Sequence, residues 1–330
     1  MTLGVYLEAY LAPLAAWLER ADVTDILVNA PGEVWVETLT SGLRREPAED
    51  LTEQVLLRLA RQIAAYSSQA INREQPLLSA TLPDGSRVQV VTPPATRDGV
   101  ALAVRKHIIS DLSLDELARG GLFATTTRAV GEVDNAAEAM LQGLLERDAH
   151  AEFLKAAVRL RKTVVISGGT GTGKTTLLNA LVKEIPPAER LIVIEDAPEV
   201  CLHHANAVGM IAVRGELGEA QVDADSLLAA ALRMRPDRIL LGELRGREAF
   251  AYLRTVNSGH PGSITTVHAD TPAGALDQIA LLAMMSGVDL GWEKVKAYVA
   301  QVVDVVVQVE RVGGRRRISK ISYRRPLGAQ

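Results

Sequence analysis

The run Ser167-Gly168-Gly169-Thr170-Gly171-Thr172-Gly173-Lys174-Thr175-Thr176 constrains this chain more than any other segment. It fits G-x-x-x-x-G-K-[ST]. A compact apolar run, Val164-Val165-Ile166, leads into it, and a helix-forming run, Leu177–Lys183, leaves it. A strand, a glycine-rich turn and a helix in that order let the backbone curl until successive N–H groups point inward. The opening helix adds the positive end of its dipole, which makes the turn a seat for phosphate. A glycine-rich turn that binds nothing is the bland alternative, and the strand-turn-helix context argues against it. We therefore expect Gly168, Gly169, Thr170, Gly171, Thr172, Gly173, Lys174, Thr175 and Thr176 to hold the phosphates of a nucleotide, ATP. Lys174 would reach the β- and γ-phosphates, and the Thr175 hydroxyl would serve Mg2+.

The neighbouring pattern predicts the layers around that loop. Leu191-Ile192-Val193-Ile194 and Ile239-Leu240-Leu241 are apolar at every position, as strands are when helices cover both faces of their sheet. Residues 136–330 thus read as an α/β unit with a mainly parallel sheet, whose ligands lie beyond the carboxyl ends of the strands. Residues 1–108 read as a smaller α+β unit. Leu7, Leu11, Leu14, Ala15 and Leu18 share a helical period, and Ile26–Asn29 with Val34–Val36 around Pro31-Gly32 predict a hairpin. Asp50 with Glu53 resembles a capping box for a helix whose apolar face is Leu56, Leu59, Ala60, Ile63 and Ala64. Pro83-Asp84-Gly85 marks a turn, and Arg87–Thr92 and Val100–Val104 read as strands. Residues 109–135, with the short capped helix at Ser113-Leu114-Asp115-Glu116, read as an interdomain linker.

Composition excludes several classes. One cysteine, Cys201, makes no intrachain disulfide and no cysteine-cluster zinc site, which suits a reducing, cytoplasmic compartment. A net charge of −4 over 330 residues gives no support for direct nucleic-acid binding. Met1–Leu18 carries Glu8 and no basic residue, so it does not read as a secretory signal. Val302–Val309 contains Asp304 and falls well short of the ~20 residues a membrane span needs.

Hydrolysis needs acids as well as a phosphate seat. Glu195, in Ile194-Glu195-Asp196-Ala197-Pro198-Glu199, and Glu243, in Leu241-Gly242-Glu243, each follow an apolar run directly. That places both at the carboxyl edge of a parallel sheet. We expect Glu243 to polarise water and to stand in the Mg2+ shell, through water or directly, and Glu195 to be its catalytic partner. The residues alone do not divide those roles. His268, in Thr265-Thr266-Val267-His268-Ala269-Asp270, follows another β-rich run, and by itself reads equally as catalytic or structural. Adjacent His203 and His204 would face opposite sides of a strand and do not read as a metal pair. His260, between Gly259 and Pro261, reads as a turn residue.

Taken in order, four segments resemble the secretion and pilus traffic ATPases, a branch of the P-loop machines. They are the loop at 168–175, the acidic box Ile194–Glu199, the segment Arg235–Gly246 that contains Glu243, and the histidine box Gly262–Asp270. Leu232–Pro236, Asn257–Ser263 and the opening hairpin are most similar to the type IV secretion branch, which powers conjugation and effector export. Type II relatives carry a tetracysteine module that one cysteine cannot make. A type IV or tight-adherence pilus assembly or retraction ATPase is the alternative. A nucleic-acid translocase and a nucleotide-gated scaffold are more distant ones.

The resemblance implies a RecA-like C-terminal domain, a homohexameric ring, and nucleotide held between two domains. It implies a peripheral place at the inner face of the bacterial inner membrane, with inner-membrane secretion-channel components, and a coupling protein or the membrane surface, as partners. It also implies that Arg87 and Arg105 approach the γ-phosphate, although alone they read as solvated strand arginines. Arg245 and Arg247 read either as subunit-boundary residues or as solvated ones. The C-terminal basic cluster of Arg311, Arg315, Arg316, Arg317, Lys320, Arg324 and Arg325 reads first as a charged edge that discourages strand aggregation.

Overall fold

The structure is a computed structural model that describes residues 3–107, 113–126, 135–213 and 218–324. Two sheets organise it. The first comes from the N-terminal third. The opening apolar stripe forms not one helix but α1 (Leu3–Leu11), a 3-10 turn at Ala12–Leu14 and α2 (Ala15–Leu18). Pro13 lies in the turn, where its ring has no N–H to continue the helical ladder. There follow β1 (Val23–Val28), β2 (Gly32–Thr38), β3 (Arg44–Ala48), α3 (Glu53–Tyr66), β4 (Leu77–Thr81), β5 (Arg87–Val91) and β6 (Ala101–Arg105). The strands run antiparallel in the order β3-β2-β1-β6-β5-β4. The cap of α3 differs from the capping box read at Asp50: Thr52 is the N-cap, and its hydroxyl accepts from the Val55 amide at 3.3 Å. Glu53 thereby becomes the first helical residue.

The linker contributes α4 (Leu114–Arg119), closed by the Ser113–Glu116 capping box. Residues 108–112 and 127–134 lie outside the described residues. The second sheet is built from α5 (Asn135–Glu146), α6 (His150–Arg159), β7 (Val164–Ser167), α7 (Lys174–Val182), β8 (Leu191–Glu195), β9 (Ala207–Ile211), α8 (Ala224–Ala231), β10 (Arg238–Leu241), α9 (Glu248–Asn257), β11 (Ile264–Val267), α10 (Pro272–Met284), α11 (Trp292–Val302), β12 (Val305–Val312) and β13 (Arg315–Tyr323). Its order is β13-β12-β7-β11-β10-β8-β9, parallel from β12 to β9, with β13 antiparallel at the edge.

Strand alternation sorts this sheet's side chains into two cores. Val164, Ile166, Leu191, Val193 and Leu240 face α5, α6 and α7, whereas Val165, Ile192, Ile194, Ile239 and Leu241 face α8 to α11. This is the doubly covered sheet that the continuous apolar runs predict.

The N-terminal sheet is also buried on both faces, although the helices of its own half cover one side only. Ile26, Val28 and Val88 pack with α1 and α3, while Leu27, Val91, Ala101 and Ala103 join the core around α8 and β9. The two halves therefore share apolar surface. Polar ties sit at its margins: the Asn29 amide donates to Asn206 at 2.9 Å, buried Arg190 donates to Asn29 at 2.7 Å, and Arg235 forms a forked ion pair with Glu37. The loop after β5 also joins the edge of β9, with the Arg97 amide donating to the Gly209 carbonyl at 3.0 Å and the Ile211 amide to Ala95 at 3.0 Å. Among the described residues no helix is long and apolar enough to cross a membrane.

Candidate active site

Because β7, β8, β10 and β11 run parallel, the loops leaving their carboxyl ends meet at one edge of the sheet. They enclose an open cavity of about 510 Å3, a size that suits a nucleotide. The glycine-rich loop forms one wall. Gly171 (φ +72) and Gly173 (φ +98) take left-handed conformations that a side chain would strain, and Gly173 caps α7. Gly168 is required for a different reason. A Cβ there would lie 2.8 Å from Val309 Cγ2, and nearer still to the Val309 carbonyl of β12.

Lys174 opens α7 and is buried. Its ammonium donates to the Gly168 and Gly169 carbonyls at 2.9 and 3.1 Å and lies 3.3 Å from His268 Nε2. Burial pulls its pKa below the ordinary lysine value. The Thr175 hydroxyl donates to Glu199 Oε2 at 2.9 Å.

The acids behave differently from one another. Glu243 lies 2.7 Å from His268 Nε2 through one oxygen and accepts from Arg245 at 2.5 Å through the other. That bond holds the Arg245 guanidinium above its ordinary pKa, and Asp196 is 3.5 Å from the same side chain. Glu195 is buried, and its Oε1 accepts from the Glu199 and Val200 amides at 3.0 and 2.8 Å. Its Oε2 ion-pairs with Arg97 from the N-terminal half. The two acids belong to one wall. A Cβ on Gly242, next to Glu243, would sit 3.0 Å from Glu195 Cγ.

Lys174, Thr175, Thr176, Glu195, Glu243 and His268 thus line the same cavity. Arg87 and Arg105 do not. They are register partners on β5 and β6, both exposed, and Arg105 donates to Asp25 at 2.9 Å. Arg247 does not line the cavity either, and pairs with Asp223 and Asp225. His260 Nδ1 donates to the Pro236 carbonyl at 3.1 Å in its turn. Two participants carry no signal in a single motif: Arg97 lies far upstream, and Arg316 from the C-terminal hairpin reaches the cavity wall. Glu199 closes the acidic box, but its contact with Thr175 needs the fold.

The chain matches the family model described as Type II/IV secretion system protein over residues 8–312. It belongs to that family. A VirB11 type IV secretion protein of Bartonella quintana is 39% identical over 95% of this chain and 91% of its own length. The PtlH type IV secretion protein of Bordetella pertussis is 41% identical over 98% and 96%. Among solved structures, the VirB11 ATPase of the Brucella suis type IV secretion system, in complex with sulphate, covers 96% of this chain and 97% of its own. It does so with a TM-score of 0.88 at 35% identity. The C-terminal α/β unit and smaller N-terminal α+β unit of this family member are therefore the architecture of that ATPase.

Proposed function

We propose that this chain is an ATPase that powers a type IV secretion machine, hydrolysing ATP to ADP and phosphate. One observation carries the reading: parallel strand ends bring the phosphate loop, two carboxylates and a histidine to a single cavity. The near full-length likeness to VirB11 and PtlH proteins supports the secretion branch over a pilus motor.

In this reading the Lys174 ammonium leaves its two loop carbonyls for the β- and γ-phosphates. Glu243 orients the attacking water and takes up its proton as the water oxygen bonds to the γ-phosphorus. The bond to the β–γ bridging oxygen breaks, with its electron pair leaving on ADP. His268 holds the Glu243 carboxylate in place, and Arg245 balances its charge. Glu195, fixed by two amides and Arg97, shapes the same acidic wall beside Glu243.

The donor set suits Mg2+. Among the described residues no cluster of three or more His, Cys, Asp or Glu forms an all-protein cage. Mg2+ usually takes one or two protein oxygens and completes its shell with phosphates and water. Thr175 and, through water, Glu243 would hold it. When bound, it neutralises charge that develops on the phosphates.

The assembled unit is a homohexamer that works peripherally at the inner face of the bacterial inner membrane, beside channel components. Arg87 and Arg105 are exposed and do not line their own cavity; in such a ring they approach the γ-phosphate of a neighbouring copy, Arg105 on giving up Asp25. The test of the chemistry is Glu243→Gln. It should bind MgATP as the parent does and release no phosphate. Full phosphate release by that variant would refute the role of Glu243. The test of the ring is mixing: inactive Arg105→Ala and Lys174→Ala chains should regain turnover together if the arginine acts across a subunit boundary.

A further inference from the structure

We propose that Arg316, on the C-terminal β12–β13 hairpin, is a second cation for the nucleotide's phosphate chain, acting at the α,β end. The inference rests on the nucleotide-binding reading above and adds to it a residue outside the loop.

The hairpin is built against the phosphate loop at both of the loop's ends. Val309 of β12 closes on Gly168, as noted, and the Arg316 side chain of β13 crosses Gly173. A Cβ on Gly173 would lie 3.0 Å from Arg316 Cδ and 3.6 Å from its Nε. Gly173 caps α7, so the guanidinium stands beside the helix N-terminus, where loop amides receive α- and β-phosphates.

Three cationic side chains line the cavity among the described residues: Lys174, Arg245 and Arg316. Arg245 is committed to Glu243 and Asp196, and Lys174 to two carbonyls. The Arg316 side chain forms no hydrogen bond or ion pair with another described residue, although it belongs to a basic run whose next member, Arg317, pairs with Glu310. Its position also carries a cost. Arg311 faces it directly in the strand register, and like charges opposite one another repel. A bound polyanion removes that cost. The alternation of β13 turns Arg316 toward the loop and its neighbours Arg315 and Arg317 to the other face. A solubility edge does not require one arginine to lie over Gly173.

The chemistry expected is a charge-assisted, forked contact to phosphate oxygens shared by ATP and ADP. It therefore differs from a γ-phosphate sensor, and also from stacking on the base.

The experiment titrates the full chain with MgATP, MgADP and magnesium tripolyphosphate by calorimetry, after thermal melting establishes that each variant is folded. Arg316→Ala should weaken ATP and ADP by the same factor, roughly tenfold to a hundredfold. It should weaken tripolyphosphate similarly. Arg316→Lys should recover part of the loss, and Arg315→Ala should bind all three as the parent does. Undiminished ATP affinity in a folded Arg316→Ala chain would overturn the proposal. So would a loss confined to ATP, which marks a γ-contact, or one that spares tripolyphosphate, which marks the base. If the parent chain itself bound no nucleotide, the proposed function would fail first, whatever Arg316 did.

Discussion

Arg97, carried by the loop after β5, crosses from the N-terminal half and ion-pairs with Glu195 at the carboxyl end of β8. The contact needs Gly209, because a Cβ on that strand residue would lie 2.5 Å from Arg97 Cδ. The same guanidinium donates to the Val200 carbonyl at 2.8 Å. One side chain thus links the N-terminal sheet to the acidic wall of the cavity, and any rearrangement of the two halves changes the setting of Glu195.

Arg97→Ala leaves a carboxylate that is 4% exposed without its cation. Removing one partner of a buried pair typically costs about 3–5 kcal/mol. We expect a lowered melting temperature together with slower phosphate release. Paired with Glu195→Gln, the two losses should fall short of additivity in a double-mutant cycle. Strict additivity would show that the contact carries no coupling.

Lys174 gives a pH signature. Burial lowers its pKa, so the folded chain binds fewer protons than the unfolded one between that lowered value and 10.5, and stability gains as pH rises through this window. Phosphates next to the ammonium favour its charged form and push the pKa back up. Nucleotide binding at alkaline pH should therefore take up a proton and weaken as pH rises. Calorimetry in buffers of different ionisation heat measures this uptake, which Lys174→Ala should abolish.

Gly168 and Gly169 separate packing from sequence pattern. A Cβ on Gly168 meets the Val309 backbone, which cannot step aside cheaply. On Gly169 the nearest atom is Thr172 Cγ2 at 3.9 Å. Gly168→Ala should lower the melting temperature and loosen ATP binding, whereas Gly169→Ala should melt as the parent does. Equal melting of the two would contradict the clasp by β12.

What was legible in the sequence was local. The loop Gly168–Thr176 and the apolar runs before Glu195 and Glu243 are each decided within a dozen residues, and the structure gathers them with His268 at one sheet edge. Elements whose stability comes from partners were not. β9 carries Gly209 in its interior, which weakens a strand signal, yet the Arg97 loop requires that glycine. β3 reads Arg-Arg-Glu-Pro-Ala, an exposed edge with little apolar alternation. Thr52 outcompeted Asp50 as a cap because its hydroxyl stands at hydrogen-bond distance from the Val55 amide. Arg97 reaches Glu195, and Arg316 the cavity itself, across long sequence separations, and no spacing rule spans such a gap.

The most direct test is phosphate release from MgATP by the purified chain, measured beside Lys174→Ala. We expect steady turnover by the parent and a drop of at least ~100-fold in the variant, the scale of losing a preorganised charge in such a site. Equal rates in the two proteins would contradict the assignment of this cavity as the place where ATP is hydrolysed.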